Sequence, residues 1–404
     1  MNSKSMLFTI ILFVACSAQI ASDIYSPSLP AIAINLHTSI ANAQFSMAIF
    51  MFGVAISQLF YGPLSEGLGR RIPIIVGLSI LFVGNLISFF APSITILIIG
   101  RLIQGAGAGA CSALWRSIFR DTFEGDELAK YGSYFSILVT FIVPAAPVLG
   151  GYLQEYFNWR ASFAFLAIYS FNTLLMVLIW LNETSQHHHI ERLKPKFIVE
   201  SYKHILSSSI FMGYTLCTFL CYGAFFSWFA VGPILLIHII GISPIQFGWI
   251  TLFGGGFATA FGGWVNGRYV TRLGAHNMLR IGFSIMFIAG TIMLAGKFAF
   301  GINTFLVVAP MILFYFGVTF IWPSAFAGAF GPFGKMAGYA GALYGFMQIS
   351  GGAVIGALVS YLPDKNQIPL SLVFITTSIL AWIIFEKVVR KKEIEIKLQQ
   401  QNQN

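Results

Sequence analysis

The sequence predicts an all-α membrane protein, with twelve transmembrane helices in two six-helix pseudo-repeats around a central cavity. Composition is the first observation behind this prediction: of 404 residues, 57% are hydrophobic and only 9% are charged, too little charge to cover a water-soluble domain of this size. The second is that apolar segments long enough to cross a ~30 Å hydrocarbon core, about 20 helical residues each, recur twelve times. The third is a long polar stretch that divides these segments six from six.

The segments are predicted to be helices because each is continuously apolar, whereas a membrane β-strand alternates apolar and polar residues over about ten positions. In chain order they cover residues 6–34, 44–62, 73–91, 94–116, 130–154, 160–181, 205–235, 246–266, 277–295, 302–328, 338–361 and 368–388. The predicted organisation is an N-terminal six-helix bundle, a cytoplasmic linker, a C-terminal six-helix bundle and a polar cytoplasmic tail, at residues 1–182, 183–203, 204–390 and 391–404.

The polar stretch contains three consecutive histidines, at 187–189, which suggest a metal site. No cysteine or acidic cluster with ligand spacing accompanies them, so we predict a solvated linker and no metal site. No nucleophile with a base and no pair of carboxylates is evident in the sequence either. It therefore does not predict an enzyme.

The basic residues predict the orientation of the chain. Placing both termini in the cytoplasm puts nearly all of the 23 Lys and Arg residues on that side, with only Arg160, Lys297 and Lys365 outside and Arg101 within a helix. The formal net charge of +9 is thus interpreted as a topology signal. No basic stretch is interleaved with aromatic residues as a nucleic-acid groove requires, so no nucleic-acid partner is predicted.

One acid, Asp23, lies inside the first apolar segment, where a charge costs roughly 2.5–3.5 kcal/mol at a helix centre. Its carboxylate could cap a helix that restarts after a break, because Pro27 and Pro30 interrupt the backbone hydrogen bonds. Alternatively it is a protonatable site that faces a water-filled cavity. We favour the second interpretation, since Ser or Asn could cap the helix without the cost of a charge.

The only other Asp, Glu, Lys or Arg well within a predicted span is Arg101, in the stretch IIGRLIQGAGAGA. Its five donors suit the carbonyl groups freed by the broken first helix. It could also sense the charge of Asp23, because a nearby cation favours the ionised carboxylate. The sequence leaves both roles open.

Two short turns repeat between the halves: GPLSEGLGRR at residues 62–71 and GGWVNGRYVTRLG at residues 262–274. Both combine glycines, which permit a tight turn, with arginines. The fifth helix carries FIVPAAPVLGGYL at residues 141–153, in which two prolines bend the helix and two glycines allow a close neighbour, at Pro144, Pro147, Gly150 and Gly151.

These motifs resemble a known family. Residues 62–71 resemble the loop signature of the major facilitator superfamily, with Gly62, Leu64, Gly69, Arg70 and Arg71 in register. The fourth helix looks like the superfamily's fourth-helix motif, including Arg101, Gln104 and Gly105. The fifth-helix residues 143–153 are similar to a motif associated with antiporters. The first helix resembles the Bcr/CflA drug-resistance subfamily at Asp23, Tyr25, Pro27, Leu29 and Pro30.

The resemblance implies a conformational latch in the loop after the second helix. In the family the loop acid faces the start of the eleventh helix, and an arginine pairs with an acid after the fourth. By resemblance Arg70 is predicted to pair with Asp121. The latch residues are Gly62, Glu66, Gly69, Arg70, Arg71 and Asp121, although Glu66 replaces the family's usual Asp and Gly67 its usual basic residue.

The resemblance also implies that substrate is bound by the first, fourth, seventh and tenth helices. The candidates there are Tyr25, Gln104, Tyr222, Phe226 and Tyr315, although an aromatic residue taken singly is more often a packing residue, because aromatic residues are abundant in all twelve spans. The implied activity is export of a small, mostly apolar compound in exchange for protons, with Asp23 and Arg101 as the proton-coupling residues. The proton is the coupling ion and no cofactor is predicted.

The implied setting is the bacterial cytoplasmic membrane, with lipid and a small-molecule substrate as partners of a monomer. Two other functions remain open at this stage. One is proton-coupled uptake of a nutrient or siderophore with the same acid and fold. The other is a non-transporting receptor on a transporter scaffold, for which Asp23 would be dispensable.

Overall fold

The computed structural model describes residues 3–185, 194–362 and 365–401. Within these ranges the chain forms helices joined by short connections, as the apolar segments predict. The histidines at 187–189 lie outside the described residues.

The first span is broken in its second half. Helix α1 covers Ser3–Asp23, a 3₁₀ turn covers Ser26–Ser28, and helix α2 covers Leu29–Asn35. The two prolines follow the break at the start of the turn and of α2, where a missing backbone N–H is tolerated. The break brings irregular backbone to the depth of the membrane, which is tolerated only where protein or a cavity surrounds it.

Five further helices complete the first half: α3 Ile40–Leu68, α4 Arg71–Phe89, α5 Ile94–Thr122, α6 Gly125–Tyr156 and α7 Trp159–Trp180. Helices α3 and α5 each begin behind a serine that accepts a backbone N–H, at Ser39 and Ser93. Gly69 directly follows the last residue of α3, and its φ of 83° is in the region that favours glycine.

A short helix, α8 Pro195–Leu206, precedes the second half. That half contains α9 Ser209–Pro233 with a π-helical extension Ile234–Ile240, α10 Pro244–Ile250, α11 Phe257–Leu273, α12 Ala275–Phe300, α13 Thr304–Phe330, α14 Ala337–Ser360, α15 Ile368–Ile384 and, after a π-helical turn, α16 Lys391–Gln401. Gly274, the last residue of the repeated turn motif in the second half, has a φ of 79° and directly follows α11, as Gly69 directly follows α3.

Eleven helices of the described chain are long and apolar enough to cross a membrane. The predicted eighth span is not among them, and it consists of three consecutive pieces, α10, a π-helical segment Thr251–Gly256 and α11. Its sequence TLFGGG places three glycines in the π-helical segment. The pieces follow one another without a loop, so the twelve-span architecture is retained.

The two halves meet tightly at the end of the bundle opposite the chain termini. A Cβ added to Gly151 of α6 would lie 2.5 Å from the carbonyl oxygen of Pro244, and one added to Gly248 would lie 2.7 Å from that of Pro147. Only the glycines allow backbones to approach so closely. At the other end α3 and α14 remain in contact at Gly62 and Ala342, and a cavity lined by both halves extends from Asp23 to Arg120.

Candidate functional site: the central cavity

The cavity has a volume of about 950 Å³ and an inner wall built from aromatic side chains of the second half. Phe225 is at its centre: its ring stacks on Tyr315 with centroids 4.3 Å apart and meets Trp322 edge-on at 5.1 Å. The aromatic wall comprises Tyr222, Phe225, Phe226, Phe229, Tyr315 and Trp322. A mostly apolar cavity of this size fits a drug-sized molecule.

Asp23 is part of the cavity wall and is 7% exposed. Its Oδ1 accepts a hydrogen bond from the Ser22 hydroxyl at 2.5 Å. The cap positions of the 3₁₀ turn and of α2 belong to Tyr25 and Ser28, and neither helix start has a side-chain cap. The helix-capping interpretation of Asp23 is therefore wrong, and the acid is left facing the cavity.

Arg101 lies behind the cavity wall and is fully buried. Its Nη1 donates to the carbonyl oxygen of Ala21 at 3.0 Å, a group freed by the break in the first span, and its Nε lies 3.4 Å from the carbonyl oxygen of Ser46. Its guanidinium carbon lies 4.2 Å from the ring centre of Tyr25 and 4.1 Å from that of Phe50. Among the described residues it forms no ion pair with Asp23, so the geometry is that of a brace for the broken helix.

Two predicted substrate residues are not in the cavity wall. The Tyr25 hydroxyl shares a hydrogen bond with Ser46 at 3.1 Å, and the Gln104 amide bonds to Arg101 and Asn85 inside the first half. Both residues instead pack around the buried guanidinium, which donates to the Gln104 amide oxygen and lies over the Tyr25 ring. Tyr222, Phe226 and Tyr315, by contrast, line the cavity where the sequence placed them.

Several residues of the wall were missed by sequence reasoning. Phe225 and Trp322 gave no signal because aromatic residues occur in every span. Gln58 donates to the Ser112 hydroxyl at 2.8 Å across the wall. Arg116 lies one helical turn after Ser112, and this spacing on one face of α5 was a readable signal.

The loop after the second span holds the predicted contact. Arg70 Nε donates to Asp121 Oδ2 at 3.0 Å, and its Nη1 donates to the Ser65 hydroxyl at 2.7 Å. Glu66 lies against Gly338 at the start of α14. Gly62 packs against Ala342 of the same helix, so the loop region contacts both halves of the protein.

An unpredicted acid, Glu183, completes this region. Its carboxylate accepts the backbone N–H groups of Arg70 at 2.8 Å and Arg71 at 3.1 Å, where α4 begins, and that of Ser185 at 2.9 Å. Burial raises the pKa of Glu183, but the donated backbone hydrogen bonds outweigh it, so the pKa lies below its usual value. The Arg71 side chain meanwhile donates to the carbonyl of Leu178 at 2.9 Å.

The fifth-helix motif joins the two halves at the closed end. Pro144 lines the cavity, with its ring 3.1 Å from where a Cβ of Gly256 would lie. Gly150 packs against the carbonyl of Ile24 in the broken first span, and Gly151 packs against Pro244. The motif therefore contacts both the acid-bearing break and the start of the eighth span.

Comparison with known proteins extends these observations. The family model described as Major Facilitator Superfamily matches residues 11–357. Multidrug resistance protein D of Escherichia coli K12 is 29% identical over 379 residues, 94% of each chain. An uncharacterized MFS-type transporter, YdgK, of Bacillus subtilis is 30% identical over 369 residues, 90% of each chain.

A bicyclomycin resistance protein homolog of Haemophilus influenzae is 27% identical over 375 residues, 92% of this chain and 93% of that one. Among solved structures, a partially occluded inward-open conformation of the xylose transporter XylE from E. coli covers 96% of this chain and 98% of its own. The TM-score is 0.73 at 14% sequence identity. This last likeness concerns the fold.

Proposed function

Because this chain belongs to the Major Facilitator Superfamily, a family of multi-pass membrane transporters, we propose that it exports small, mostly lipophilic compounds in exchange for protons. Relatives along nearly the whole chain are named for multidrug and bicyclomycin resistance, which favours export of drug-like compounds. The observation that carries the proposal is the Asp23 carboxylate, which faces a cavity whose inner wall is aromatic.

Asp23 binds the coupling proton. A carboxylate at membrane depth is stable when neutral or when water surrounds it, so protonation lets the cavity close around it. Substrate and proton then occupy the cavity in alternation as the two halves rock about it. One proton moving inward supplies ~2.3 kcal/mol per 100 mV, and each pH unit adds about 1.4 kcal/mol, enough for a concentration gradient of a few hundred-fold.

The proposed setting is the bacterial cytoplasmic membrane, with both termini in the cytoplasm. The cavity then opens to the cytoplasm, and the contact of Gly151 with Pro244 closes the opposite side. Residues 1–182 and 204–390 act as the two rocking bundles of a monomer, with the linker and the tail at 183–203 and 391–404. Tyr222, Phe226 and Tyr315 bind the substrate's apolar body.

The test is efflux of lipophilic antibiotics and dyes from export-deficient bacteria that express wild type or Asp23→Asn at matched membrane levels. Efflux that a protonophore stops, and that the Asp23→Asn variant lacks, is expected. Asp126→Asn is the matched control, since Asp126 is an exposed acid outside the cavity wall. Unchanged efflux by the Asp23 variant would reject proton coupling through Asp23, and accumulation instead of efflux would favour uptake.

A further inference from the structure

The outer part of the cavity carries two arginines that the proposed proton exchange does not use. Arg116 and Arg120 are one turn apart on α5 and both line the cavity. Within the described part of the chain neither forms an ion pair, whereas Arg70, the third arginine of the wall, is paired with Asp121. Arg116 and Arg120 are therefore exposed cationic groups in the cavity wall, with no acidic partner among the described residues.

The neighbours of Arg116 hold its side chain in an orientation that suits ligand binding. Its guanidinium carbon lies 4.6 Å from the ring centre of Trp115, which holds the planar group on one face. The Tyr344 side chain of α14 is within electrostatic range of it and also lines the cavity. A stacked guanidinium with a free edge is the group that binds carboxylates and phosphates through two parallel hydrogen bonds.

The site is separate from the proton site. Arg101, fifteen residues earlier on α5, is level with Ala21 and hence with the break that bears Asp23. Fifteen residues of helix span about 22 Å, more than twice the ~8 Å screening length at physiological salt. An anion bound at Arg116 therefore does not compete with, or strongly repel, an ionised Asp23.

We propose that Arg116 and Arg120 form an outer binding subsite for lipophilic organic acids, which takes up the anionic group before the apolar body moves to the aromatic wall. This rests on the proposed transport function, because it assigns an anionic substrate class to the same cavity. The two positive charges raise the local concentration of anions at the open end. They also discriminate an acid from its neutral analogue.

The test compares two probes that differ in one group, naphthaleneacetate and naphthaleneacetamide. Binding is measured by calorimetry on the full chain in phosphatidylcholine nanodiscs. The carboxylate is expected to bind wild type more tightly than the amide, with an affinity that falls as salt is added. Arg116→Gln should weaken carboxylate binding about tenfold or more, since it removes charge-assisted hydrogen bonds, and leave the amide within about twofold. Arg116→Lys should recover only part of the loss.

Arg268→Gln is the control, because Arg268 is exposed on α11 outside the cavity wall and carries the same charge. Equal binding of carboxylate and amide by wild type, no effect of Arg116→Gln, or an equal loss in Arg268→Gln would each overturn the subsite. Export itself is judged separately, by Asp23-dependent efflux of a neutral dye from the same variants. Normal efflux without acid binding rejects the subsite alone, and acid binding without efflux rejects the transport function alone.

Discussion

Arg101 Nη1 donates a 3.0 Å hydrogen bond to the carbonyl oxygen of Ala21, two residues before the acid that faces the cavity. This bond connects the fourth span to the break in the first. Arg101→Lys keeps the charge but cannot contact Ala21, Ser46 and the ring of Tyr25 with one planar group. We expect a loss of about 1.5–3 kcal/mol in the free energy of unfolding, because buried charge-assisted hydrogen bonds disappear.

The measurement for Arg101→Lys is thermal unfolding of the purified protein together with the pH profile of residual transport. Because Arg101→Lys keeps the positive charge near Asp23, the midpoint of the profile should match wild type. A midpoint displaced from that of wild type would show that the hydrogen-bonding geometry of the guanidinium, in addition to its charge, affects the protonation of Asp23. The stability loss alone would identify Arg101 as a brace.

The helices could be predicted from the sequence because length and apolarity are local properties, and so could the turn glycines Gly69 and Gly274, which both adopt positive φ. Which side chains point into the cavity could not be predicted in this way. Tyr25 lies in the break of the first span and Gln104 on α5, both among mostly apolar residues, so the sequence does not distinguish a position in the cavity wall from one inside the first half. Glu183 acts on Arg70, 113 residues away along the chain, and no periodicity links them.

The Arg70–Asp121 ion pair is largely buried from solvent, with side-chain exposures of 14% and 21%. A double-mutant cycle with Arg70→Gln and Asp121→Asn should give a coupling free energy of about 1 kcal/mol or more, because partial burial reduces screening by solvent. The exposed pair Lys196–Glu200, 3.9 Å apart, is the matched control and should give about 0.3–0.5 kcal/mol at most. Equal coupling in both pairs would contradict a latch that depends on Arg70 and Asp121.

Glu183 holds the start of α4 through two backbone N–H groups. Glu183→Ala should reduce the free energy of unfolding by about 1 kcal/mol, the typical effect of removing a helix cap. The pKa of Glu183 in the folded state lies below the usual 4.5. The ionised carboxylate therefore stabilises the folded state fully above pH 4.5, and this stabilisation is lost as the pH falls through the lowered pKa.

Thermal unfolding of wild type and Glu183→Ala should therefore differ by the same amount at pH 6 and pH 8. The difference should shrink as pH falls below 4.5, where the unfolded chain takes up the proton first, and disappear once the pH is below the lowered pKa of the folded state. A difference that varied between pH 6 and pH 8 would mean that another titrating group, rather than the Glu183 carboxylate, holds the helix start.

The closed end depends on Gly151, where an added Cβ would lie 2.5 Å from the Pro244 carbonyl oxygen. Gly151→Ala should therefore prevent closure and reduce transport about tenfold or more, because the backbone of α10 cannot give way as a flexible side chain can. Gly267→Ala, which meets no atom within 4 Å, is the matched control and should transport normally.

The closure of this end can be followed with a cysteine at Ser28, which is fully buried in the 3₁₀ turn. A membrane-impermeant maleimide added from the side opposite the termini should label Ser28→Cys faster when Gly151→Ala is also present. Labelling at the wild-type rate, with transport still lost, would place the effect of Gly151 elsewhere than in closure.

Tyr25 and Tyr222 test the corrected cavity wall, since the sequence assigned both to substrate and only Tyr222 lies in the wall. Tyr25→Phe removes the hydrogen bond to Ser46 and should lower the free energy of unfolding by about 1 kcal/mol while leaving KM unchanged. Tyr222→Ala should raise KM about tenfold, equivalent to losing about 1.4 kcal/mol of contact with an apolar substrate. Transport kinetics and thermal unfolding of both variants separate these effects. A raised KM for Tyr25→Phe at wild-type stability would mean that substrate reaches past the aromatic wall into the first half, against the boundary that Arg101 and its partners form.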